Sequence, residues 1–218
     1  VLTLLKAIVV FFFTLLAACL AGLLYGMLAH FFDLFFLFPF VVAGLIVSVG
    51  SGAARWFRLR NTSLLVLIGL LAGIVAYPAY LAGKYGMLVV AQQLATTAGF
   101  ADILTILKLF WESPEQLGRA ISETDAALLA KVGYEGVLGI LFTNLQSGIP
   151  IRTSMIGQGN LVVGALIELF KLGVLLVVSA TALPNTVRAE ALYRTKTPRP
   201  MARRELSPAE EELWGRGE

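Results

Sequence analysis

Four blocks of more than twenty residues, at about 7–29, 34–54, 62–83 and 161–183, recur in this chain with almost no charge inside them. That recurrence limits the fold more than any other feature. A helix rises 1.5 Å per residue, so roughly 20 residues cover the ~30 Å hydrocarbon core of a bilayer. Inside that core a segment must satisfy its own backbone, which a helix does and an open strand does not. The first three blocks contain no Asp, Glu, Lys or Arg, and the fourth contains only Glu168 and Lys171. Composition agrees, with 58% apolar and 14% charged residues, against roughly 45–50% and about a quarter in soluble domains. A water-soluble domain is therefore close to excluded. The expected fold is all-α, a polytopic transmembrane helical bundle. It has four spanning helices, an interfacial segment over 84–160 that carries interfacial or re-entrant helices, and a basic tail over 184–218.

The net charge of +3 would raise the question of nucleic acid in a soluble domain. Here the basic residues flank apolar blocks, where they set topology and meet anionic lipid headgroups. The partners expected are the bilayer and a protein or a second copy of the chain, with no nucleic acid. One cysteine, Cys19, and one histidine, His30, provide no intrachain disulfide and no His/Cys metal set, so no metal and no cofactor is expected. Leu16-Ala17-Ala18-Cys19 has the form of a lipoprotein processing site, but the apolar run continues past it to Leu28, which favours a spanning helix.

His30-Phe31-Phe32-Asp33 forms a tight turn between the first two spans. His30 and Asp33 are read as turn caps, with a pH-sensitive pair as the alternative. The second span ends at Arg55-Trp56-Phe57-Arg58-Leu59-Arg60-Asn61, where guanidinium groups reach phosphates and Trp56 sits at headgroup level. Pro78 kinks the third span or marks its frayed end. In the middle segment, Asp102, Thr105, Lys108 and Glu112 form a narrow polar stripe on an apolar helix, which predicts an interfacial element. Ser113-Pro114-Glu115-Gln116 has the order of an N-cap, a first-turn proline and a capping-box glutamine, and predicts a helix to about Ser122. The stretch 126–142 is read as re-entrant or surface-lying, with a fifth span as the alternative. Gly157-Gln158-Gly159-Asn160 is a turn without a phosphate-loop frame. Ser207-Pro208-Ala209-Glu210 predicts one short helix near 208–214 in a tail otherwise expected to be extended or disordered unless a partner holds it.

Counting charges sets the orientation. Lys6, Arg55, Arg58, Arg60 and the tail residues Arg188, Arg194 and Lys196 fall on one side, whereas the middle segment carries five basic and six acidic residues. The positive-inside rule then places both termini of this multi-pass protein in the cytoplasm and the middle segment outside; the location expected is a bacterial inner (plasma) membrane.

Small residues recur every four positions: Ala18, Gly22 and Gly26; Gly44, Ser48 and Gly52; Gly69 and Gly73. Such stripes let helices approach closely in lipid, either within one chain or between subunits. Glu168 and Lys171 lie three apart, on one helical face, and can pair. An intramembrane ionisable group costs about 2.5–3.5 kcal/mol even on cautious scales. The pair is read as structural, with a solute or proton path as the alternative and Glu135 the nearest further carboxylate. No metalloprotease, nucleophile-elbow or paired-carboxylate pattern marks the chain as an enzyme.

Three stretches carry a resemblance: Ala21-Gly22-Leu23-Leu24-Tyr25-Gly26, Arg58-Leu59-Arg60-Asn61 before a glycine-rich span, and Ile167-Glu168. Together they resemble an uncharacterised family of small bacterial four-span integral membrane proteins. The resemblance implies that topology and marks Glu168 for testing; it supplies no reaction. Members of that family often carry a cysteine pair after the last span, and the tail here has none, so no metal or redox role carries over. The function expected is that of a non-enzymatic scaffold or accessory subunit of a membrane complex. The alternative is a homo-oligomeric channel or small-solute or proton transporter using Glu168 and Lys171.

Overall fold

A computed structural model describes residues 2–29, 37–94, 114–147, 149–151, 154–156 and 161–196. Six helices account for nearly all of them: α1 (Leu2–Leu28), α2 (Leu37–Trp56), α3 (Thr62–Leu94), α4 (Pro114–Val132), α5 (Gly136–Ser147) and α6 (Leu161–Lys196). A two-stranded antiparallel hairpin, β1 (Ile149–Ile151) and β2 (Ser154–Ile156), pairs Ile149 with Ile156 and Ile151 with Ser154. Five stretches are long and apolar enough to cross a membrane: α1, α2, α3, the α4–α5 region and α6. Membrane location follows from them. So does the outer surface, where Phe12, Leu24, Phe40, Leu67, Leu166 and Val177 are all exposed, a distribution that water would penalise and lipid does not.

The helices are longer than their apolar blocks. α3 does not end near Gly83 but runs through Pro78 to Leu94. Proline removes one donor, yet ending a helix in hydrocarbon would free several backbone groups at once. α6 likewise passes Pro184, and 184–196, expected to be extended, is helical. Thr186 Oγ1 donates back to the Ala182 carbonyl there, at 2.8 Å. Residues 188–196 belong to a second compact unit, Arg188–Glu218. The expected interfacial helix 102–112, the His30–Asp33 turn, the Gly157–Asn160 turn and the helix near 208–214 lie outside the described residues.

Local chemistry explains the helix ends. α2 closes in a Schellman motif: Leu59 N donates to Ala54 O at 2.8 Å and Arg58 N to Arg55 O at 3.1 Å, with Arg58 left-handed at φ 55°. The accompanying apolar contact is present, because Leu59 and Ala54 are buried in one cluster. Asn61 then caps α3, its Oδ1 accepting from Leu64 N at 3.2 Å. α4 starts at Pro114, as the capping-box order predicts, and continues past Ser122 to Val132, burying Ala120, Thr124 and Leu128 as one stripe. It stops at Gly133, φ 80°, whose N–H donates to Leu129 O at 3.0 Å.

The chain then reverses. Asp125 Oδ1 accepts from Gly136 N at 2.9 Å, although eleven residues of straight helix would separate the two by about 16 Å. The apolar stretch 114–146 is thus a helical hairpin and not one rod, and α5, with 12 residues, reaches only about 18 Å.

α3 is the central element of the bundle. Gly22 and Gly26 of α1 lie against the Ala76 and Tyr80 carbonyls, and Gly83 lies against the Leu23 carbonyl. The numbers rise together, so α1 and α3 are parallel. On another face, Gly69 meets the Ser179 carbonyl and Gly73 meets Leu175 and Leu176, which makes α6 antiparallel to α3. α2 runs antiparallel to α1, with Gly50 against Thr14. Ala7, Val10, Ala54, Leu59, Leu65, Ile68, Leu183 and Val187 form one cluster, so the start of α1, the α2–α3 junction and residues 183–187 share one end of the bundle. The α4–α5 hairpin packs at the other end, where Leu128 and Ile140 join Phe38, Tyr80 and Leu81. Two buried hydroxyls are satisfied within their own helices: Thr14 Oγ1 donates to Val10 O at 2.7 Å and Thr124 Oγ1 to Ala120 O at 2.8 Å.

Candidate functional site

The two charges inside the last apolar block meet as their spacing requires. Lys171 Nζ donates to Glu168 Oε1 at 2.8 Å, with both side chains almost fully buried. The other carboxylate oxygen, Oε2, accepts from Tyr77 Oη of α3 at 2.6 Å. Both oxygens of Glu168 are therefore engaged, one within α6 and one across the α3–α6 contact. Lys171 Nζ also lies 5.7 Å from the centroid of the Tyr80 ring, within the reach of a cation–π attraction.

Tyr80 is the hub of the site. Phe38 of α2 stacks on it at 4.0 Å and 28°, and Tyr25 of α1 packs on Phe38 at 5.2 Å. Tyr77, Tyr80 and Lys84 fall on one face of α3, at positions i, i+3 and i+7. Lys84 Nζ lies 5.7 Å from the Tyr80 centroid and donates to Asn144 Oδ1 of α5 at 3.0 Å. At the next residue, Tyr85 Oη donates to Asp125 Oδ1 at 2.7 Å, the same oxygen that receives Gly136 N. These separate polar contacts join α6 to α3, α3 to α5 and α3 to α4.

Two buried atoms, Asn144 Nδ2 and Ser179 Oγ, have no hydrogen-bond partner among the described residues. Among those residues no group of three His, Cys, Asp or Glu side chains is placed to hold a metal. Chemically, the site is a closed ion pair roofed by two tyrosines. It fixes α6 to α3.

The small-residue stripes separate into two kinds. Ala18, Gly22 and Gly26 are buried on α1, and Gly69 and Gly73 are buried on α3. A Cβ at Gly22, Gly26 or Gly69 would collide with a backbone carbonyl of the neighbouring helix. On α2, a Cβ at Gly44 or Gly52 would meet nothing within 4 Å. Ser48 is exposed and donates back to Gly44 O at 2.8 Å. That stripe faces outward.

Arg55, Trp56, Arg58 and Arg60 gather at the end of α2 and are exposed, Trp56 to 84%. Arg188 is an exposed residue of α6, and Arg194 and Lys196 lie in its last turns. Glu135 sits exposed in the α4–α5 turn. Sequence reasoning did not identify Tyr77, Tyr80, Lys84, Tyr85, Asp125 or Asn144. A signal existed in the tyrosines at 77, 80 and 85 around Lys84, polar tips repeating on an apolar helix. No family model, curated protein or solved structure matches the chain.

Proposed function

We propose that this chain is a non-enzymatic, four-crossing membrane protein that serves as a scaffold or accessory subunit and docks its partner on the outward face of α2. The partner is a second copy or another membrane protein. One observation carries the proposal: two of the three small-residue stripes are used inside the chain, whereas Gly44 and Gly52 have open space where a side chain would stand. In lipid, a smooth stripe is the surface on which another helix gains dispersion contacts. Within the protomer, Glu168 spends both oxygens on Lys171 and Tyr77, as a rigid platform requires. The bundle end that carries Lys6, Arg55, Arg58 and Arg60 is assigned to the cytoplasm of a bacterial inner membrane, the basic tail with it, and the α4–α5 hairpin to the opposite side. The resemblance to small four-span membrane proteins points to the same arrangement. Replacing Gly44 by Leu adds bulk where the protomer has nothing to displace. Native mass spectrometry in mild detergent is expected to show a larger assembly for the wild type, which the variant loses while keeping the wild-type melting temperature; an unchanged assembly rejects the docking face.

A second reading has its own support. Polar groups recur along one face of α3, Glu168 and Lys171 at Tyr77 and Asn144 at Lys84, and Asn144 keeps a buried amide nitrogen without a partner among the described residues, groups that a path for a proton or small solute would draw on. On that reading Glu168→Gln abolishes flux in reconstituted vesicles and leaves assembly intact. Unchanged flux rejects it.

A further inference from the structure

Where α2 ends, its surface and that of α1 leave a groove of about 420 Å³ lined by Phe13, Val49, Gly52, Ala53, Trp56 and Phe57. Its walls are apolar, and at Gly52 no atom stands within 4 Å of where a side chain would be. Three arginines at 55, 58 and 60 surround the two aromatic residues that form one end of it, and no Asp or Glu occurs between Asp33 and Asp102. Arg55 is held back along its own helix, with Nε donating to Ser51 O at 3.0 Å. Arg58 and Arg60 are exposed on either side of the buried Leu59, which pins the turn between them. Arg58 also occupies the left-handed position of the Schellman motif, φ 55°, where glycine is the unstrained choice. A guanidinium is kept where the backbone alone would favour no side chain.

We infer that this groove is a site for one anionic phospholipid, its acyl chain lying along Phe13, Val49, Gly52 and Phe57 and its phosphate meeting Arg58 and Arg60. The chemistry distinguishes the occupant. An apolar trough at the level of exposed Trp56 accepts a hydrocarbon chain, and planar guanidinium groups recognise phosphate oxygens. Charge complementarity selects an anionic over a zwitterionic headgroup. Gly52 belongs both to this groove and to the outward stripe of α2, whereas Gly44 does not line the groove, so Gly44→Leu tests the docking face alone and is expected to leave the lipid adduct unchanged.

The test uses the full chain in mild detergent, titrated with phosphatidylglycerol or with phosphatidylcholine of the same acyl chains and read by native mass spectrometry. One saturating phosphatidylglycerol adduct is expected. Arg58→Gly weakens it roughly five-fold, and Arg58→Gly combined with Arg60→Gln about twenty-five-fold. Gly52→Leu, which fills the trough without a clash, removes the adduct, while Arg119→Gln on exposed α4 leaves it unchanged. Arg58→Gly relaxes the backbone, so its melting temperature does not fall and loss of lipid is not loss of fold. Equal binding of the two lipids, an unchanged adduct in Gly52→Leu, or a polypeptide in place of the lipid overturns the site.

Discussion

Glu168 and Lys171 illustrate what charge does when water is absent. Neither stays in hydrocarbon alone without a large cost, and together they remain only because Tyr77 takes the remaining carboxylate oxygen and Tyr80 faces the ammonium. Removing one partner leaves a buried, uncompensated charge, whereas removing both leaves only the neutral, half-buried Tyr77 hydroxyl without its acceptor. Glu168→Leu therefore costs ~3–5 kcal/mol, and adding Lys171→Leu recovers most of it. Unfolding in mixed micelles measures both; a double variant as unstable as the single one contradicts the pairing. Arg58 gives the opposite sign. Its left-handed backbone costs about 1 kcal/mol relative to glycine, so Arg58→Gly raises the melting temperature by a few degrees.

Among the elements, α3 sets the architecture because it buries small residues on two sides. Gly83 and the Ala76 region receive α1, and Gly69 and Gly73 receive α6. A leucine at Gly22 has to push against a backbone carbonyl and cannot relax by changing rotamer. Gly22→Leu is thus expected to destabilise the protomer by several kcal/mol, while Gly44→Leu changes its stability by less than about 1 kcal/mol. Equal effects at the two positions would mean that α1 and α2 do not differ in how they pack. The α4–α5 hairpin depends on Asp125, which holds Tyr85 and Gly136 with one oxygen. Asp125→Ala loosens that hairpin, seen as faster amide exchange over 125–140, and leaves the α1–α3 contact protected.

At the scale of the whole molecule, much of the bundle is legible in the sequence, because an uncharged run of bilayer length has few alternatives. The starts at Thr62 and Pro114 were also readable, the first from the edge of an apolar block and the second from a first-turn proline. Other features were hidden by distance along the chain. Tyr77 finds Glu168 across 91 residues and Lys84 finds Asn144 across 60, and no local pattern marks such pairs. The extensions of α3 to Leu94 and α6 to Lys196 were missed because each passes a proline and leaves the apolar block before it ends. The stretch 114–146 has the composition of a span but turns back at Gly133, since the left-handed glycine and the Asp125 contact outweigh hydropathy.

The four-crossing arrangement is tested most directly by thiol labelling from each face of sealed, oriented vesicles, in a Cys19→Ser background, with single cysteines replacing Arg60, Glu135 and Asn185. The account predicts that positions 60 and 185 label from one face and position 135 from the other. Labelling of 60 and 185 from opposite faces would make 114–146 a fifth crossing and contradict it.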